Sequence, residues 1–390
     1  MTELPDSRYG CREGFSDGQG LPVDESGAWL ALGKQRLVTG DGAGARECFF
    51  AALALERRDA LAWLGLGQSY LAVQPPRLGL AAEAFAEALA LDERLVAAYL
   101  GLASVAELRG AWSEAYALWI SALSVCHTTP EAYAGLVRYH EKMGDGPRVL
   151  AVMTDWLLSG CADLLVLEQL VNLAPAHDAI SDALEVLAKL FEQETLAVEW
   201  LAGVGRSFQL LGQLECARAA YQRAVNRQPN HLTSWRAIGQ IEMALGHLSQ
   251  ALTAFQTVFS LSPTSAESAY DLAVAQLENG LHADAVGSFG KALLLAPHWV
   301  EARTGLGWAM LQDSRYSGAR ACFELALSVQ PTHAPAWDGL GTTFWKLGQL
   351  DQAIESMQRA SELTPFESGD GYREKWGMLL TARAEGATGR

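Results

Sequence analysis

Long apolar runs, basic runs and paired cysteines are all missing from this chain of 390 residues. No stretch of about 18 apolar residues is available to cross a bilayer, so direct membrane insertion is not expected. No run of Lys or Arg offsets the formal charge of −16. Phosphate contacts need a basic surface, and a nucleic-acid partner is therefore not expected either. The six cysteines (Cys11, Cys48, Cys126, Cys161, Cys216 and Cys322) contain no CxxC pair. They read as small buried thiols in a reducing compartment. The N-terminus, Met-Thr-Glu-Leu-Pro-Asp, lacks a basic segment followed by an apolar one, and the location to expect is cytoplasmic.

Catalytic signatures are equally scarce. No P-loop, HExxH or GxSxG occurs. Fragments such as Gly65-Leu66-Gly67, Gly305-Leu306-Gly307 and Gly339-Leu340-Gly341 recur inside helical patterns, whereas a nucleotide site needs its glycines between a strand and a helix. His231, His298 and His333 follow prolines at widely separated turns and share no ion. No metal, cofactor or catalytic residue is expected. Half of the residues are apolar, with 12 Trp among them, which excludes disorder of the whole chain.

What the sequence does have is a period. A small residue recurs at Ala45, Ala81, Ala115, Val149, Ala183, Ala217, Ala251, Ala285, Ala319 and Ala353, with a first gap of 36 residues and gaps of 34 thereafter. Self-similarity at such a period marks a stacked-repeat architecture that grows without a single central core. Within residues 333–365, Trp337, Leu340, Gly341 and Phe344 fall at helical spacing, Gly348 suits a left-handed helix end, and Ala353, Met357 and Ala360 share the face of a second helix. Thr364-Pro365 closes the unit. Each repeat is thus a helical hairpin. A bulky second-helix residue recurs at Phe49, Phe85, Trp119, Met153, Leu187, Tyr221, Phe255, Phe289, Phe323 and Met357.

Trp235, Ile238, Gly239, Ala251, Phe255 and Pro263, like Trp29, Leu32, Gly33, Ala45, Phe49 and Ala52, resemble the tetratricopeptide repeat family, and the likeness covers about residues 26 to 365. It implies an all-α fold, a right-handed superhelical solenoid of antiparallel helix hairpins. The expected organisation is a mobile tail at 1–25, an arm at 26–136, a divergent segment at 137–195 that is either ordinary drift within the solenoid or a bend between the arms, a second arm at 196–365, and a capping helix with tail at 366–390. Two extra residues near Pro75-Pro76 predict an altered turn, and Pro175 should end a helix early. The capping helix, with Tyr372, Trp376, Leu379 and Leu380, should cover the apolar end of the last repeat.

In this family ligands lie along the concave face lined by first helices. The corresponding phases carry Leu30, Leu37, Leu64, Leu71, Leu100 and Leu108, with Lys34, Gln68 and Ser104 among them. Further along they carry Arg138, Glu141, Lys142, Arg206, Gln209, Arg236 and Gln240, then Tyr270, Asp271, Trp308 and Trp345. Arginines there would recognise partner carboxylates, or would pair with nearby Glu on a solvated face. The tryptophans would anchor a partner or be buried between helices. Another phase holds Ala31, Gly65, Gly101, Gly135, Gly203, Ala237, Gly305 and Gly339. Its glycines imply close helix packing or a bare groove floor. The carboxylate clamp of chaperone-binding members is not reproduced, since Asp271 stands where an Asn is wanted.

The function to expect is a non-enzymatic scaffold or adaptor for a protein or peptide partner. The Ala-, Leu- and Gly-heavy, Lys-poor composition suggests a bacterial multiprotein assembly. The alternatives are a self-assembling homo-oligomer and a regulatory or recruiting subunit of an enzyme, such as a glycosyltransferase, carried on another chain.

Overall fold

The computed structural model describes residues 25–364, 371 and 374–381, and these are helical apart from short connections. The contacts divide the chain into two compact units, Met1–Leu190 and Phe191–Arg390. Most of the expected N-terminal tail, together with Pro365 and Tyr372, lies outside the described residues.

In the first unit the hairpins are α1 (Glu25–Val38) with α2 (Gly42–Leu55), α3 (Ala60–Ala72) with α4 (Leu78–Leu91), α5 (Val96–Leu108) with α6 (Trp112–Val125), and α7 (Pro130–Met143) with α8 (Gly146–Leu158). Then comes α9 (Leu164–Leu173), cut short where Pro175 enters a single 3₁₀ turn at Ala174–His177. The last element, α10 (Ile180–Glu192), runs across the division between the units. Each helix from α1 to α9 packs on its chain neighbours, and first helices also touch one another, α1 on α3 and α3 on α5.

The second unit repeats the plan in five hairpins: α11 (Val198–Leu210) with α12 (Leu214–Arg227), α13 (Leu232–Ala244) with α14 (Leu248–Leu261), α15 (Ala266–Glu278) with α16 (His282–Leu295), α17 (Val300–Gln312) with α18 (Tyr316–Val329), and α19 (Ala334–Lys346) with α20 (Leu350–Glu362). A terminal helical segment over 374–381 puts Leu379 into the core of the last hairpins and lays Trp376 against it.

The local chemistry accounts for the hairpins. Asp41, Asp59, Asp145, Asp163 and Ser265 accept amide hydrogens at the starts of their helices, satisfying donors that have no intrahelical partner. At the tip of the last hairpin Gly348 takes φ 74°, the left-handed helix end that glycine adopts without a Cβ penalty. The indole N–H of Trp63, Trp235 and Trp337 donates to the carbonyl of Arg57, Pro229 and Pro331 respectively, at 2.8–3.1 Å. Each of these bonds ties a first helix to the turn before it. Near Pro75-Pro76 the hairpin closes through the Arg77 amide, which donates to the Tyr70 carbonyl at 3.0 Å.

One packing motif repeats along both units. In most hairpins the bulky second-helix residue is an aromatic ring, and one or two first-helix glycines face it. A Cβ on Gly33 or Gly65 would meet Phe49 at 2.8 or 2.3 Å. The same holds for Gly67 and Gly101 around Phe85, at 2.5 and 2.5 Å, and for Gly307 and Gly339 around Phe323, at 2.7 and 2.3 Å. The glycine phase is therefore no bare floor, because rings fill it. Ala31, which starts the same series, has no ring before it in the array and stands exposed. In the divergent stretch the bulk changes sides: Val137 and Val171 replace the small first-helix residue, and Met153 and Leu187 replace the ring, all four buried. Volume-conserving exchanges of this kind keep a core packed.

Alanine is favoured over glycine inside a helix by about 1 kcal/mol. Gly287→Ala, where a Cβ would meet nothing within 4 Å, should therefore raise the melting temperature. Gly339→Ala should lower it, because overpacking costs about 1–3 kcal/mol. Thermal unfolding followed by circular dichroism compares the two signs directly.

Candidate functional site

A cavity of about 460 Å³ opens on the first-helix face of the first unit, within the usual size range of ligand pockets. Its floor is apolar: Leu71 of α3, Ala97 and Leu100 of α5, and Ala134 of α7. The rings of Phe85 and Trp119, seated against Gly101 and Gly135, close it from below. Gln68, Ser104, Glu131 and Arg138 form the polar part of the lining, and all four are exposed.

The charges at this mouth are unequally engaged. Arg138 meets Glu107 in a bidentate pair, Nε to Oε1 at 2.9 Å and Nη2 to Oε2 at 3.0 Å, with its guanidinium 5.8 Å from the Trp119 ring centre. Such a fork is the strongest ordinary geometry between these groups. Lys142 sits 4.4 Å from the centre of the Trp112 ring, a cation–π contact. Glu141 is exposed on the same helix, and Lys34 is exposed on α1.

In the second unit Arg236 is claimed from two sides. Its Nη1 lies 2.7 Å from Glu267 and its Nε 2.7 Å from Asp271, whose side chain is only 13% exposed. Asp271 stands at the glycine phase, the position held by Gly305 and Gly339 in the following repeats. Burial raises the Asp271 carboxyl above the ordinary range, and the Arg236 charge opposes that rise. Arg206 and Gln240 are exposed on α11 and α13, and Gln209 is half-buried. Tyr270 is committed to packing: its ring stacks on Trp299 at 4.6 Å and meets Phe289 edge-on at 5.7 Å.

The two tryptophans part company. Trp308 is half-buried, edge-on to Phe323, with Lys375 of the terminal segment 5.9 Å from its ring centre. That lysine also meets buried Asp338 at 2.8 and 2.9 Å, fastening the terminal segment to α19. Trp345 remains 53% exposed beside Lys346.

The sequence phases thus located Leu71, Leu100, Gln68, Ser104 and Arg138 of the cavity. They missed Ala97, Glu131 and Ala134. Ala97 and Glu131 share a phase in the first turn of the first helix, three residues before the earliest phase read as lining. Of the two readings open for Arg138 and Arg236, a partner's carboxylates or nearby ones of the chain itself, both side chains show the second. Among the described residues no group of three or more His, Cys, Asp or Glu is placed to hold a metal, and no helix is long and apolar enough to cross a membrane.

Within each unit, repeated antiparallel helix hairpins packed one on the next define an α-solenoid class of protein. Residues 236–301 and 304–368 match the tetratricopeptide repeat family model. That matched stretch belongs to the tetratricopeptide repeat family, and the hairpins before it repeat the same helical plan. No curated protein matches the chain significantly in sequence. Solved structures similar to it include MamA from Desulfovibrio magneticus RS-1, at 19% identity over 43% of this chain and 94% of that one, TM-score 0.41. TTC0263 of Thermus thermophilus is 18% identical over 47% of this chain and 100% of that one, TM-score 0.39. The tetratricopeptide domain of P58(IPK) is 17% identical over 93% of this chain and 99% of that one, TM-score 0.31.

Removing Arg236 would leave the Asp271 carboxylate buried without its countercharge. Arg236→Ala should destabilise the fold by about 2 kcal/mol, within the cost of breaking a largely buried pair. Adding Asp271→Asn should recover most of that loss. Without Arg236 the carboxyl is raised further above its unfolded value, so the folded state takes up a proton more readily than the unfolded chain. The deficit of Arg236→Ala should accordingly shrink as pH falls from neutral towards the carboxylate range. Urea unfolding at several pH values measures it.

Proposed function

We propose that the chain is a non-enzymatic interaction scaffold that holds a segment of a partner protein on the first-helix face of its first unit. The observation carrying this reading is the cavity itself: an apolar floor bordered by a few polar side chains, on a face built from successive helices. Solenoids present extended surfaces of this kind, onto which a chain segment can be laid. The apolar floor supplies burial and the rim supplies orientation, the division of labour found in recognition sites generally. The Arg138–Glu107 fork stiffens the rim before any partner arrives, which lowers the ordering cost of binding. The composition, rich in Ala, Leu and Gly and poor in Lys, favours placing the scaffold in a bacterial multiprotein assembly, in the cytoplasm.

Site-specific photo-cross-linking tests this. Benzoylphenylalanine in place of Ser104, at the rim, should give adducts with a partner protein in native cells. The same group in place of Gly79, an open position on α4, should not. Adducts between two copies of this chain would replace the reading with self-assembly, and no adduct at Ser104 would remove it.

A further inference from the structure

Two places in the array occupy the same register and differ in their charges. In the second unit Arg236 lies 31 residues before Glu267 and pairs with it, while Asp271 holds the guanidinium from its other side. Four periods earlier the corresponding residues are Leu100, Glu131 and Gly135. The acidic residue of the first turn is kept, but the arginine that satisfies it has become leucine and the aspartate glycine. Leu100 and Glu131 both line the cavity of the first unit. Arg138, the cation of its lining, is bound in a fork to Glu107, and further along α7 Lys142 lies over Trp112. Arg109 donates to the Leu78 carbonyl at 3.0 Å. Glu131 and Glu141 are exposed carboxylates on α7. The floor beside Glu131 is aliphatic, with Leu71, Leu100, Ala97 and Ala134.

We propose that this cavity receives an arginine side chain from a partner segment in which aliphatic residues flank that arginine. The incoming guanidinium takes, on Glu131, the place that Arg236 takes on Glu267, and its methylene stem lies on Leu71 and Leu100. Arginine stems cover apolar surface while the charged head stays at the rim. The guanidinium fork suits a carboxylate better than the point charge of a lysine does. A neighbouring leucine on the segment fills the rest of the apolar floor, beside Ala97 and Ala134. The negative balance of the whole chain assists approach of a basic segment. Arg138 opposes it only weakly, because the Glu107 carboxylate neutralises it at contact distance. This proposal rests on the reading of the face as a docking surface and adds the chemistry of what docks.

The test uses the full chain and fluorescein-labelled dodecapeptides, titrated by fluorescence anisotropy at physiological salt. One carries Leu-Arg-Leu in a Gly-Ser background; the others carry Leu-Glu-Leu and Ser-Arg-Ser in the same place. Leu-Arg-Leu should bind at least about tenfold more tightly than either control, the scale of one charge-assisted hydrogen bond or one buried aliphatic group. Glu131→Gln, an exposed change that should leave the melting temperature unaltered, should remove about tenfold of that affinity. Leu100→Arg, which supplies the missing guanidinium internally, should abolish binding while the melting temperature holds or rises.

Equal binding of Leu-Glu-Leu, undiminished binding to Glu131→Gln, or binding that survives Leu100→Arg would each overturn the arginine assignment. Equal binding of Ser-Arg-Ser would reduce it to unspecific charge attraction. If no peptide binds while benzoylphenylalanine at residue 104 still captures a partner, the docking face stands and the arginine assignment is wrong. If both fail, both readings fall.

Discussion

An aromatic ring seated between two glycines is the contact on which this architecture depends. Seven hairpins present a Phe, Tyr or Trp from the second helix, each facing at least one glycine, and around Phe49, Phe85 and Phe323 the first helices on both sides leave out a Cβ so that the ring can enter. Burying such a ring is worth about 1.5–3 kcal/mol, whereas a glycine inside a helix costs about 1 kcal/mol. Two glycines to a ring cost about 2 kcal/mol, so ring burial roughly offsets them. It also sets the distance between successive first helices, and hence what can open on the face they form.

Departures from that rule are compensated locally. In repeats four and five the ring gives way to Met153 and Leu187, and valines at 137 and 171 take up the volume. This is why the stretch keeps its period while losing its family residues. At the eighth repeat the glycine phase holds Asp271, and a carboxylate placed there needs a cation. Arg236 supplies it and thereby leaves the set of groups available to a partner. The second unit has closed, with an internal ion pair, a register that the first unit leaves open at Leu100 and Glu131.

The same interlock shapes the candidate site. Phe85 and Trp119 close the bottom of the cavity because Gly101 and Gly135 admit them, and the aliphatic floor is what remains of the first helices above those rings. The proposed docking on this face therefore draws on what surrounds a repeated structural contact. Phases that pack rings cannot vary freely, whereas Leu100, Ser104, Glu131 and Arg138 can differ from repeat to repeat without disturbing the stack.

Most of the fold could be read from the sequence because a repeated hairpin obeys local rules. The period of 34, the alanine and glycine phases and the ring positions each reflect contacts within one hairpin or with the next. Phase also brought Gln68, Leu71, Leu100, Ser104 and Arg138 to one face. It could not tell a guanidinium awaiting a partner from one already held, because the decisive carboxylates lie 31 to 35 residues away. Glu107 approaches Arg138 from the repeat before, and Glu267 and Asp271 approach Arg236 from the repeat after. Nor could it say that the glycines were filled, or that Lys375 would meet Asp338 and lie near Trp308. The sequence alone determined the repeat and its faces, since those follow from spacing along one helix. The tertiary structure decided which charges and rings remain available, since that depends on side chains reaching across from neighbouring hairpins.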